Sequence, residues 1–195
     1  MTKRIVLARH GATEWSEAGR HTGRTDLPLT PDGERQAVLL GKVLARERYQ
    51  QVFTSPLRRA ADTARLAGFS AETTGIERSD LLLEMDYGKD EGLTRKEIRK
   101  ERPEWDVFLV GPKGGETAAD VAARCERFLQ QIEPLEGTVL LFAHGHLIRM
   151  LTATWLRCPP AFATHLELGP ASISVLGYNH EHRSLQRWND RSHLD

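Results

Sequence analysis

Cysteine is scarce: Cys125 and Cys158 are the only two in 195 residues. They stand far apart and in no CxxC arrangement, so neither a disulfide framework nor a thiolate zinc site is indicated. Net charge is missing as well, since 27 lysines and arginines balance 27 aspartates and glutamates. A chain without bulk charge has no overall field to attract nucleic acid or an anionic membrane surface, and neither is an expected partner. No apolar run approaches the roughly 20 residues that a membrane span needs. The opening MTKRIVLARH has an apolar part too short for a secretory leader and no small-residue cleavage site. A reducing cytoplasm is the simplest expectation. Repeats, low-complexity blocks and Pro/Gly/Ser linkers are absent too, so residues 1–195 are read as one domain. Any anion site must then be a local cluster of cations rather than a charged face.

What is there alternates. Ile5 to Ala8 is a short apolar run that opens into Arg9-His10-Gly11, a buried strand followed by a loop. Thr30-Pro31 begins a helix, with threonine as N-cap and proline at the first helical position. Ala37, Leu40, Val43 and Leu44 give it one apolar stripe. Gln51 to Thr54 is a second strand, and Ser55-Pro56 starts a helix running to about Leu66. A less regular stretch holds the loop from Leu81 to Gly92. Thr117 to Ile132 is a long helix, and Thr138 to Ala143 is a fully buried strand. His144-Gly145 passes from it into a helix ending near Leu156. Ser172 to Tyr178 and Leu185 to Trp188 close the chain as a pair of strands. Strands alternating with helices predict an α/β single-domain three-layer sandwich: a largely parallel central sheet with helices on both faces. Ligands bind such sheets beyond the carboxyl ends of the strands. Three such ends carry Arg9-His10-Gly11, Ser55 to Arg59, and His144-Gly145.

Those residue types suit phosphoryl transfer. The moving phosphoryl group spreads negative charge over its oxygens and needs fixed cations and donors around it. Arg9 and Arg59 would supply planar forks for phosphate oxygens. His144 would add a donor, together with the free N–H groups of the helix that follows. His10 can attack phosphorus if its other ring nitrogen is protonated and anchored. The leaving oxygen needs a proton, and a carboxyl group beside an anion can give it. Glu84 is the candidate, with Asp86 and Glu91 as weaker ones.

Four ordered segments also resemble the histidine phosphatase superfamily. Arg9-His10-Gly11 with Thr13, then Thr22-Gly23-Arg24-Thr25-Asp26, is similar to its opening motif. Ser55-Pro56-Leu57-Arg58-Arg59-Ala60 resembles the second, which puts the catalytic arginine on Arg59. Leu83-Glu84 with Tyr87-Gly88 and Glu91-Gly92 looks like the acid loop, and Ala143-His144-Gly145-His146-x-x-Arg149 like the motif of the second histidine. The string His21 to Pro31 resembles most the branch of sedoheptulose-bisphosphatase-like sugar phosphatases. The resemblance implies hydrolysis of small phosphorylated metabolites, sugar phosphates or bisphosphates, through a phosphohistidine on His10, with no metal and no cofactor. Ser16, Thr22, Gly23 and Gly145 are read as contacts to the bound phosphate, and Tyr87 and Arg95 as contacts to the rest of the substrate. His21 is read as a substrate contact or as loop packing.

Other readings stay in view. His144-x-His146 could offer two metal ligands, but no carboxylate follows at a metal-site spacing. His180, His182 and His193 read as solvated, and Trp105 and Phe108 as cover for the pocket or as core. The nearest rival is a cofactor-dependent phosphoglycerate mutase, whose pattern has Trp-Asn where this chain has Trp15-Ser16, and an arginine pair that is missing between Ile98 and Lys113. Arg95, Arg99, Lys100, Arg102 and Lys113 are the cations weighed near that segment. An inactive phospho-ligand-binding module should have lost His10 or Glu84, and both are present. A homo-oligomer is compatible with the sequence.

Overall fold

A computed structural model describes residues 3–195. Its strands are β1 (Arg4–Arg9), β2 (Gln51–Thr54), β3 (Glu77–Arg78), β4 (Thr138–Ala143), β5 (Ile173–Asn179) and β6 (His182–Asp190). Its helices are α1 (Glu14–Glu17), α2 (Pro31–Leu44), α3 (Arg58–Leu66), α4 (Ala71–Thr74), α5 (Arg95–Glu101), α6 (Ala118–Ile132) and α7 (Gly145–Trp155). The strands form one sheet in the order β3-β2-β4-β1-β5-β6. The first four in that order run parallel, while β5 is antiparallel to β1 and β6 to β5.

Alternation along the strands builds two cores, one on each face of the sheet. Ile5 and Leu7 of β1 and Val139 and Leu141 of β4 pack against α6 and α7. Val6, Ala8, Leu140 and Phe142 point the other way, against α2 and α3. Strands covered on both sides read as unbroken apolar runs, as these two do. The expected three layers and largely parallel sheet are therefore present. Phe128 of α6 is wholly buried and meets Phe53 of β2 edge to face, with ring centroids 5.4 Å apart. Truncating such a residue to alanine would cost about 3–5 kcal/mol.

The helix starts follow capping chemistry. Thr30 caps α2 by accepting the Gly33 N–H at 3.1 Å. Thr117 and Asp120 form a reciprocal capping box on α6. The second expected helix starts later than Ser55: α3 begins at Arg58, because the Ser55 hydroxyl is engaged by His144 and by the Leu57 N–H. The stretch read as irregular contains β3, α4 and α5. Of the closing strands, β5 is displaced by one residue and β6 is longer than expected, since the β5–β6 pair contains register shifts and β6 is at best half-buried, which blurs its period of two. Both cysteines are unpaired, Cys125 in the core with its thiol pushed up by burial to about 12. Among the described residues no helix is long and apolar enough to cross a membrane.

Candidate active site

Three adjacent strand ends bring the sequence-distant segments together. Arg9 ends β1 opposite Ala143 at the end of β4, so His10 and His144 emerge side by side. The His10 N–H donates to the Ala143 carbonyl at 3.0 Å, and the Ser55 N–H to Phe142 at 2.9 Å. The loop after His10 presses onto the first turn of α2: a Cβ on Gly11 would lie 2.3 Å from the Gly33 carbonyl oxygen. Only glycine permits that approach.

His10 is buried, and its Nδ1 lies 2.7 Å from the Gly11 carbonyl oxygen. A carbonyl only accepts, so Nδ1 carries the proton and the Nε2 lone pair is left free. Burial, and then the charges of Arg59 and Arg9, hold the imidazole well below its usual proton affinity. It is therefore neutral at pH 7, the state a nucleophile requires. His10 and Arg9 line a cavity of about 200 Å³. Arg9 donates to the Leu168 carbonyl, and its buried Nε has no protein acceptor among the described residues. Desolvation above all lowers its pKa to about 10, so it still carries charge at pH 7.

Arg59 and His144 sit behind this cavity, not on its wall. Arg59 is completely buried and donates to His144 Nδ1 at 3.1 Å, to Thr25 at 2.9 Å, and to the Thr22 and Gly23 carbonyls at 3.0 and 2.9 Å. Because His144 Nδ1 accepts, its proton is on Nε2, which donates to the Ser55 hydroxyl at 2.7 Å. The expectation of an open Arg59 fork and a free His144 donor is thus corrected. The carbonyls of the Thr22–Thr25 loop have no strand or helix partner and take the guanidinium instead. What the pair gives His10, whose ring centroid is 5.3 Å from that of His144, is a buried positive charge. With both His144 nitrogens engaged and His146 Nδ1 bonded to the Tyr87 hydroxyl, the two histidines do not converge as metal ligands. No cluster of three or more metal-ligating side chains occurs among the described residues.

Glu84 lies in the cavity wall. One carboxylate oxygen accepts from Met85 and Leu147 N–H, both at 2.9 Å, and the other from His146 N–H at 3.0 Å. The α7 amides expected to meet phosphate are thus partly taken by this carboxylate, which the helix N-terminus favours electrostatically. The irregular acid loop is held from α6. Arg124 donates to the carbonyls of Leu81 and Leu83 and pairs with Glu116, which accepts the Asp86 N–H. The weaker acid candidates have other work: Glu91 accepts from Gly23 and Thr25 N–H, and Asp86 from Gly88 N–H.

Ser16, His21, Thr22, Tyr87 and Gly145 line the cavity. Gly23 does not. It is a close-approach position, where a Cβ would fall 2.6 Å from a Glu91 carboxylate oxygen. Arg95 does not either, because it pairs with Asp106 at 3.3 Å and is mostly exposed. Arg99 is tied to the Trp105 carbonyl and Arg102 to Asp90. The cavity instead receives Arg20, His146 and Arg149; the last two stand in the motif of the second histidine, but the sequence reading assigned none of the three a role there. One signal was available: on a helix starting at Gly145, residues 145 and 149 share a face. His21 and His146 stack at 5.9 Å, with Trp105 edge-on to His21 and Phe108 edge-on to His146. Trp105 and Phe108 are therefore buried backing for the wall and not its surface. His193 is half-buried, with an enclosed Nε2, rather than freely solvated.

A family model described as the histidine phosphatase superfamily (branch 1) matches residues 5–191. An acid phosphatase of Mycobacterium tuberculosis is 40% identical over 187 residues, covering 93% of this chain and 90% of that protein. Sedoheptulose 1,7-bisphosphatase of Saccharomyces cerevisiae is 36% identical over 185 residues, covering 80% and 68%. The solved structure of a functionally characterised Mycobacterium tuberculosis open reading frame superimposes with a TM-score of 0.90 at 38% identity, covering 96% and 97% of the two chains. Proteins described as 2,3-bisphosphoglycerate-dependent phosphoglycerate mutases are related to the chain as well.

Proposed function

The chain belongs to the histidine phosphatase superfamily, and from that premise we propose that it hydrolyses phosphate monoesters of small sugar-type metabolites through a phosphohistidine on His10. One observation carries the reading: a neutral imidazole, anchored through Nδ1 to the Gly11 carbonyl, stands with Arg9 and Glu84 on one small cavity. Its Nε2 attacks phosphorus as the bond to the leaving oxygen breaks, and Glu84 gives that oxygen its proton. The carboxylate left behind then takes a proton from water as the water oxygen attacks phosphorus. The N–P bond breaks, and inorganic phosphate leaves with the imidazole restored. Arg9 neutralises the phosphoryl oxygens directly, and Arg59, ordered by His144, adds fixed charge from behind. No step calls for a metal or cofactor. The unpaired cysteines support a reducing cytoplasm as the setting.

Rapid quench with labelled substrate should trap an acid-labile, base-stable phosphoenzyme that His10→Ala cannot form. Formation of the adduct by that variant would remove His10 from the role. Supplying 3-phosphoglycerate with catalytic 2,3-bisphosphoglycerate should give more free phosphate than 2-phosphoglycerate. The opposite ratio would make the protein a mutase.

A further inference from the structure

The cavity holds more positive charge than one phosphoryl group needs. Besides Arg9 it is lined by Arg20 and Arg149, with Glu84 as its only carboxylate. Arg20 is largely accounted for, since it donates to the Gly92 carbonyl at 2.7 Å and pairs with Glu97 at 3.2 Å. Arg149 is not. Its Nε donates to the Ala163 carbonyl at 3.0 Å and one terminal nitrogen to Thr164 at 3.3 Å, both neutral acceptors. The other terminal nitrogen has no acceptor among the described residues. Phe108 lies beneath the guanidinium, 4.8 Å from its carbon to the ring centroid, which fixes the plane and favours the cation. Glu84, Asp106 and Glu167 act on it only from a distance, and Asp106 is paired with Arg95 instead. Burial lowers its proton affinity, as expected for a cation without a counter-ion.

A partly buried guanidinium held rigid, unpaired and facing a ligand cavity is costly unless something anionic comes to it. Its position says which part of the substrate that is. Arg149 stands one turn along α7 from the amides that hold Glu84, the side from which the leaving oxygen is to be protonated. We infer that Arg149 is a specificity-determining residue that binds a second anionic group, a phosphate or a carboxylate, on the leaving-group portion of the substrate. This rests on the phosphatase reading and narrows it: the preferred esters carry two anionic groups, and only one of them is hydrolysed at His10.

Two matched substrate pairs test this: fructose 1,6-bisphosphate against fructose 1-phosphate, and 3-phosphoglycerate against glycerol 3-phosphate. Each pair differs by one anionic group and distinguishes a distal phosphate from a carboxylate. The wild-type enzyme should favour the doubly anionic member of at least one pair by about 10- to 100-fold in kcat/KM, the range of a charge-assisted hydrogen bond. Arg149→Met keeps the packing on Phe108 and should abolish that preference through KM, leaving the singly charged member within about threefold. Arg149→Lys, which restores charge without the fork, should recover part of it. Equal loss on both members would place Arg149 on the reacting phosphate or in the fold, and would overturn the inference. So would a wild-type enzyme with no preference in either pair. If the wild-type protein hydrolyses neither pair nor p-nitrophenyl phosphate, the phosphatase reading fails first and takes the inference with it.

Discussion

The cavity has a floor and a wall built on different principles. The floor is Arg9 and His10, backed by Ser55 and His144 just beyond the ends of β2 and β4, where register fixes which residues meet, and by Arg59 in the first turn of α3. The wall is Glu84, Tyr87, His21, His146 and Arg149, gathered from two loops and a helix face. Floor residues are tied to one another and to backbone carbonyls, so charge there is placed before any ligand arrives. Wall residues present a mixture of ring edges, a carboxylate and an uncompensated guanidinium, which suits discrimination more than transition-state stabilisation. If this division holds, damage to the floor should affect every substrate alike, and damage to the wall should depend on the leaving group.

Glu84 belongs to the wall by position but, in the proposed mechanism, to the chemistry by role, which makes it the strongest probe of the division. Glu84→Gln keeps the shape and removes the transferable proton, so phosphorylation by an alkyl phosphate should slow on the order of 10²–10⁴-fold. An aryl ester such as p-nitrophenyl phosphate has a stable leaving group and should lose much less in that step. Single-turnover rates on both esters decide it. Equal losses would mean that Glu84 shapes the site through the α7 amides it accepts from, and that the acid is elsewhere.

The same contrast governs what could be read from the sequence. The floor was legible because strand-end residues lie within a few positions of an apolar run, and the run dictates where they emerge. His10 and Ser55 needed no knowledge of side-chain direction. Arg59 and His144 show the limit: their place at the floor was legible, but which atoms face the ligand was set by unpaired carbonyls of the Thr22–Thr25 loop. The wall was legible only where a loop motif named it, as at Glu84 and Tyr87. Arg149 stood in the motif of the second histidine, on a helix whose extent was correctly read, but nothing local gave it a role, and Arg95 was drawn away by Asp106. Arg124, which fixes the acid loop from about 40 residues downstream, leaves no local signal at all.

A pH experiment sharpens the comparison at intermediate scale. His10 and His144 in the floor and His146 in the wall are each held well below the usual imidazole value, by burial first and then chiefly by neighbouring arginines. All three stay neutral in the folded protein while the unfolded chain takes up protons below about pH 6.5. The unfolded state then binds more protons, so stability is full above that pH and falls as pH drops. Each histidine contributes about 1.4 kcal/mol per pH unit until its folded value is reached. Denaturant titrations at pH 7.5 and 5.5 should show this loss, and His10→Asn and His146→Asn should each flatten the slope by one histidine's share. A slope that only the floor variant flattens would mean that the wall titrates like solvated side chains.

The smallest effect tests the wall alone. Tyr87 is buried, its phenol is held above the usual proton affinity by burial and by Glu84, and its hydroxyl meets His146 Nδ1. Staying protonated, it orients His146, and His146 in turn stacks on His21 across the cavity. Tyr87→Phe deletes that one hydrogen bond and leaves the ring in place. A neutral hydrogen bond contributes about 0.5–1.5 kcal/mol, so KM for a sugar phosphate should rise about two- to tenfold. The rate constant for phosphorylation of His10 should not change, because no floor residue has moved, and p-nitrophenyl phosphate, which offers the wall no hydroxyls, should be nearly unaffected. Steady-state and single-turnover kinetics on both esters separate these quantities. A fall in the phosphorylation rate on both would show that the wall's hydrogen bonds help set the geometry of attack, and the division between a catalytic floor and a selective wall would then be wrong.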